Sequence, residues 1–157
     1  MLNSSRQTPS VTGIQFSAGA IAASSAIYAV VLLALRYAGP MPEDGFVGPG
    51  AWPTLLPGPL LAVIGAAMVL LSFTIRKWLE RWMLPRDNSL NARFRVVTIG
   101  MQPAIAAGML GLIYALVTGD IAWGLVLLAM SFFGCLLQFP GRHWLEQADD
   151  LEANTQS

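Results

Sequence analysis

The chain has 157 residues, 55% of them hydrophobic and only 11% charged, with nine Lys and Arg balanced by nine Asp and Glu. Soluble chains carry roughly 25% charged residues, so this composition argues against a water-soluble domain, and zero net charge offers no general attraction for nucleic acid. A single cysteine, Cys135, excludes an internal disulfide and paired-thiol redox chemistry, and a single histidine, His143, cannot supply paired axial ligands to haem.

The charges are bunched. Residues 7–35, 45–75, 96–119 and 121–141 contain no Asp, Glu, Lys or Arg, and each stretch exceeds the ~18 mostly apolar residues that mark a possible membrane span. Together with a mean hydropathy of +0.57, this predicts an all-α membrane protein. Four transmembrane helices form one domain over residues 16–140, between a polar tail at 1–15 and an acidic tail at 141–157.

The first span is predicted over about residues 16–37. Its start is rich in small residues (Ser17, Ala18, Gly19, Ala20) and its end is aliphatic (Val30, Val31, Leu32, Leu33, Leu35). A cleavable signal peptide fits less well, because the apolar stretch is too long for a signal core and no cleavage site followed by a soluble domain comes after it. Residues 38–53 hold four prolines and four glycines, a composition for a turn-rich loop.

The second span is predicted over about residues 52–75, with Pro53, Pro57 and Pro59 in its first turns. Either regular helix begins near Leu60, or the start is kinked from Trp52. A helix from Leu60 to Ile75 would be short for a bilayer, which favours the kinked start. Residues 76–95 carry six basic residues, with Trp78, Leu79, Trp82 and Met83 at helical spacing. The pattern suggests a separate short helix in the headgroup region, ended by Pro85, rather than a continuation of span two into water.

Span three is predicted over about residues 96–117, with a mild kink at Pro103, and span four over about 121–139. Only Thr118, Gly119 and Asp120 separate them, which permits nothing but a tight antiparallel hairpin. The tail from Pro140 carries Arg142 and His143, then turns acidic and is expected to fray. Placing both termini in the cytoplasm puts Arg6, the six basic residues of 76–95 and Arg142 inside, against Arg36 alone outside.

No acidic residue lies deep in an apolar stretch, so a proton pump of the usual intramembrane carboxylate type is disfavoured. No nucleophile–base pair, metal-ligand cluster or phosphate loop appears, so the reading is non-enzymatic, with no catalytic residue, cofactor or metal. The tryptophans read as interfacial belts: Trp52 and Trp123 outside, Trp78, Trp82 and Trp144 inside. Cys135 reads as a small apolar filler and His143 as a solvated interfacial residue.

Small residues recur four apart as Ala18, Ala22 and Ala26; Gly58, Ala62 and Ala66; Gly100, Ala104 and Gly108; and Ala107, Gly111 and Ala115. Each set lies on one helix face, where another helix can approach closely. Such rows serve internal packing or docking onto a larger membrane partner, and Gly100, Ala104 and Gly108 are candidates for the latter. Arg36 reads either as a snorkelling residue at the end of span one or as a partner for an acidic group.

The segment Gly48-Pro49-Gly50-Ala51-Trp52-Pro53-Thr54-Leu55-Leu56, followed by an apolar helix, resembles the small membrane subunit of the tripartite tricarboxylate transporters. That family commonly shows a GPG-aromatic-Pro-x-Leu-Leu stretch after its first span, and Gly48, Pro49, Gly50, Trp52, Pro53, Leu55 and Leu56 match it. Length and four spans also agree, while Pro57 and Pro59 depart from the family's aliphatic run. The resemblance implies an accessory subunit of the bacterial inner membrane. Its partners would be a large multi-span membrane subunit that carries the solute path by symport with a cation, and a periplasmic solute-binding protein that delivers a carboxylate. The loop residues Gly48, Pro49, Gly50, Trp52 and Pro53 are then interface candidates. Two alternatives stay open: the small subunit of a tripartite dicarboxylate-type transporter, and a structural subunit of a respiratory or photosynthetic membrane complex.

Overall fold

The computed structural model describes residues 10–39, 41–43, 45–46 and 57–147. Four helices follow in order: α1, Val11–Tyr37; α2, Gly58–Met83; α3, Leu90–Thr118; α4, Ile121–Leu137. No strand occurs among the described residues. At 1.5 Å per residue the first three are each roughly 40 Å long and α4 about 25 Å. Helices α1, α2 and α3 are long and apolar enough to cross a membrane; α4 is apolar but shorter.

Local chemistry sets the boundaries. Ser10 caps α1, its Oγ accepting the Gly13 N–H at 3.1 Å, and Ser89 caps α3, accepting the Ala92 N–H at 3.2 Å; these caps satisfy otherwise orphaned donors. Pro57 and Pro59 flank the first residue of α2, where a missing N–H costs nothing. Helix α3 runs on through Pro103 and stops at Gly119, which takes the left-handed φ of 76°. Asp120 then caps α4, accepting the Trp123 N–H. The turn is therefore one glycine and one cap, the tight hairpin its length requires.

Three expectations are corrected. Arg76–Met83 is not a separate helix: α2 continues unbroken to Met83, because Arg, Lys, Leu, Glu and Met are all strong helix formers even where hydropathy falls. Helices α1 and α3 each begin several residues before their apolar stretch, at the serine caps, and α4 ends at Leu137 rather than residue 139. Residues 142–147 do not fray but form a helical turn whose Leu145 is fully buried. The proposed start of span two from Trp52 lies outside the described residues; the described helix begins at Gly58.

Helices α3 and α4 pack on each other and on both remaining helices, whereas α1 and α2 do not touch among the described residues. The α3–α4 hairpin is thus a central slab with α1 and α2 on its flanks. Three apolar clusters run along it. At one end Ile14, Leu90 and Leu145 meet; in the middle Ala18, Ala22, Val97, Met101, Ala104 and Cys135; at the other end Leu32, Met41, Ala115 and Leu128. Residues 10 and 147 therefore lie at the same end as the α2–α3 connection. The exterior is apolar like the interior: Phe16, Val30, Val63, Leu70, Met109, Ile113, Phe133 and Leu137 are exposed, while alanine and serine are buried beside leucine, valine and methionine at the contacts. Water-soluble bundles place polar and charged residues on the exterior.

Candidate functional site

Both small-residue rows of α3 are occupied within the chain. A Cβ on Gly100 would sit 2.9 Å from Arg76 Cβ of α2, and one on Gly108 would sit 2.7 Å from Ser131 Oγ of α4; Ala104 between them is fully buried. On the second row, a Cβ on Gly111 would come within 2.5 Å of Leu127 Cβ and 2.9 Å of the Gly124 carbonyl. The close-approach faces offered to a partner by spacing alone are the internal contacts α3–α2 and α3–α4. Ser25 and Ser131 bond at 2.8 Å beside Gly108, joining α1 to α4 in the space the glycine leaves. On α1, Ala18 and Ala22 are buried and Ala26 is exposed.

The described residues between α1 and α2 are pinned at the α3–α4 turn end of the hairpin. The Arg36 guanidinium donates to the Pro42 carbonyl at 3.3 Å, so this residue holds the start of its own loop. Met41 is buried against Leu32, Ala115 and Leu128. Gly45, at φ 76°, lies so close to the α3–α4 turn that a Cβ would meet Val117 O at 2.4 Å and Gly119 N at 2.6 Å. The next N–H, of Phe46, donates to Leu116 O at 2.9 Å. On the far side Gly58 is pressed on the Trp123 indole, where a Cβ would come within 2.1 Å of the ring. Gly48, Pro49, Gly50, Trp52 and Pro53 lie outside the described residues, between these two anchors.

The opposite end carries a polar cluster that spacing did not reveal. The Gln138 amide donates to Ser72 Oγ at 2.6 Å and to Gly134 O at 3.2 Å, while Ser72 donates to Val69 O. Arg76 donates to the Gln138 carbonyl and pairs with Glu80 at 3.0 Å. Its guanidinium lies 5.7 Å from the centre of the Trp144 ring, and that of Arg93 lies 4.7 Å from it. Arg93 is 4% exposed and also donates twice to Asn88 Oδ1, at 2.7 and 3.1 Å. Two guanidinium groups on one indole clamp residues 142–147 onto α2 and α3, and desolvated cation–π contacts of this kind contribute about 2 kcal/mol. The only sequence signal was an uncharged polar residue, Gln138, at the edge of an apolar stretch. In the loop beside the cluster, hydrogen bonds from the Ser89 side chain and N–H hold the Asp87 carboxyl below its usual range.

Among the described residues no three His, Cys, Asp or Glu side chains gather where they could hold a metal ion. Cys135 is buried and His143 is exposed, its ring facing Gln147 at 3.4 Å. Over the α3–α4 turn the described residues Met41, Gly45 and Phe46 form an anchored corner. No protein-family model, curated protein or solved structure matches this chain.

Proposed function

We propose that this chain is the small, non-catalytic membrane subunit of a binding-protein-dependent secondary transporter for carboxylates, of the tripartite tricarboxylate type. It resides in the bacterial inner membrane with both termini cytoplasmic. The observation that carries the reading is the sequence of the Gly48–Leu56 segment, which resembles the stretch that follows the first span in that family. The described flanks of that stretch, Phe46 and Gly58, meet Leu116 of α3 and Trp123 of α4, so both of its neighbours lie at one end of the bundle. The small-residue rows add indirect support. The two rows of α3 are occupied inside the bundle, which leaves the α3–α4 turn end and the oily flanks as the surfaces for a partner.

Two experiments test this. Tagged chain, solubilised gently from cells that carry its native neighbours, is expected to bring down a large multi-span membrane protein, identified by mass spectrometry. Recovery of quinone- or pigment-binding enzymes instead overturns the transporter reading. Orientation is tested by single cysteines at Glu43 and Asp87 in a Cys135→Ala background. A membrane-impermeant thiol reagent added to intact cells should label the first and spare the second; the opposite pattern inverts the topology.

A further inference from the structure

One surface lies away from the helix contacts and from the α3–α4 turn. On the outer face of α2, Trp78 and Trp82 are 59% and 53% exposed, and their rings stack in parallel with centroids 5.8 Å apart. Arg86 lies over the Trp82 ring at 4.8 Å and donates to the Trp82 carbonyl. The neighbouring ridge of the same helix carries Lys77 and Arg81, both exposed and without an ion pair among the described residues. Two large aromatic rings held in the open would be a liability facing water, and three cations without an ion pair among the described residues stand beside them. Indole prefers the headgroup boundary, and cations one helical turn away meet phosphate there.

Charge decides the class of lipid. Residues 76–95 hold six basic residues against Glu80 and Asp87, while at the opposite end the described residues hold Arg36 against Glu43 and Asp120. Glu80 is already engaged by Arg76, which faces inward toward Trp144. Among the described residues Lys77, Arg81 and Arg86 therefore make no ion pair with an acidic side chain. We propose that this ridge pair, Trp78 and Trp82 beside Lys77, Arg81 and Arg86, is a docking surface for anionic phospholipid. The indoles lie among the glycerol backbones, and the three cations take the phosphates and the extra negative charge of the headgroup.

The proposal rests on the membrane reading of the helices but not on the transporter reading, and it is tested on the chain alone. The purified chain is equilibrated in detergent with equal phosphatidylglycerol and phosphatidylcholine, and the lipids it retains are weighed by native mass spectrometry. Preferential retention of phosphatidylglycerol is expected. Each basic side chain at an anionic surface is worth about fivefold, so Lys77→Gln/Arg81→Gln/Arg86→Gln should reduce that preference by tenfold or more. All three residues are exposed, so the variant keeps the bundle. Arg36→Gln, at the other end, should leave the preference intact. Equal retention of both lipids by the unaltered chain, an unchanged preference in the triple variant, or an equal loss in Arg36→Gln each overturns the proposal. Failure of the chain to fractionate with membranes would instead remove the premise, and is read separately.

Discussion

Replacing Gly111 with leucine should abolish accumulation of the chain. The position lies where α3 and α4 come closest: a single added carbon would be 2.5 Å from Leu127 Cβ and 2.9 Å from the Gly124 carbonyl oxygen. From the other side, a Cβ on Gly124 would be 2.5 Å from Ala115 Cβ and 3.0 Å from the Gly111 oxygen. Backbone atoms form half of this contact, so no rotamer change relieves it and the helices have to part. Overpacking of a well-packed interior costs about 1–3 kcal/mol, which is the expectation for Gly111→Ala. Leucine adds three more carbons in a contact with no room, against a typical total stability of about 5–15 kcal/mol. Gly108→Leu should act likewise, through Ser131 Oγ at 2.7 Å and Ser25 Oγ at 3.3 Å. The measurement is the level of chain in membranes, with thermal unfolding of whatever accumulates. Gly141→Ala, with nothing within 4 Å, is the silent control. If Gly108→Leu accumulates normally yet no longer brings down a partner, that row is external after all and the packing described here is wrong.

Gly45→Val is expected to do the converse: leave the bundle intact and uncouple it from its partner. At φ 76° an L-residue costs about 1–2 kcal/mol, and a β-branched one more. The added Cβ would also sit 2.4 Å from Val117 O and 2.6 Å from Gly119 N, atoms fixed by the hairpin. The flank has to lift, breaking the Phe46–Leu116 hydrogen bond, while the three apolar clusters keep most of their contacts. Chain level should stay near normal. Partner recovery should fall by roughly tenfold or more, since each 1.4 kcal/mol lost is a factor of ten. A cysteine at Glu43 should label faster as the loop loosens. Undiminished partner recovery would show that the anchored corner is only a connector.

The number of helices was legible because absent charge over twenty or more residues is a coarse signal that packing does not alter. Their ends were not legible in the same way. The apolar stretch measures how far oil extends, while the helix extends as far as caps and propensity allow. Ser10 and Ser89 set two starts outside the apolar stretches, and Arg76–Met83 stayed helical despite four charges. Spacing of four correctly grouped Gly100, Ala104 and Gly108 on one face, but periodicity carries no information about what faces them. Only the fold puts Arg76 and Ser131 there. The Gln138–Ser72 bond joins residues 66 apart, and the Trp144 clamp draws on three separate segments. Such pairings arise from topology and leave no local trace in the chain.

The lack of contact between α1 and α2 dictates an order of assembly. Chains emerge from the ribosome with the N-terminus first, and α1 is complete long before anything it packs against exists. Apart from the adjoining Met41, its neighbours all come later: Leu90 and Leu145 for Ile14, Val97, Met101 and Cys135 for Ala18 and Ala22, Ala115 and Leu128 for Leu32. At about 5–20 residues per second, synthesis from Tyr37 to Leu145 takes on the order of ten seconds. Nor can α2 serve as an early hairpin mate. Until α3 is made, over the first part of that interval, α1 has no helix to pack on, and its exposed apolar side chains suit an apolar surrounding. Ile14 waits longest, for Leu145, and the Ser25 hydroxyl finds Ser131 only when most of α4 has been made, so that hydrogen bond can form only once the bundle is nearly complete.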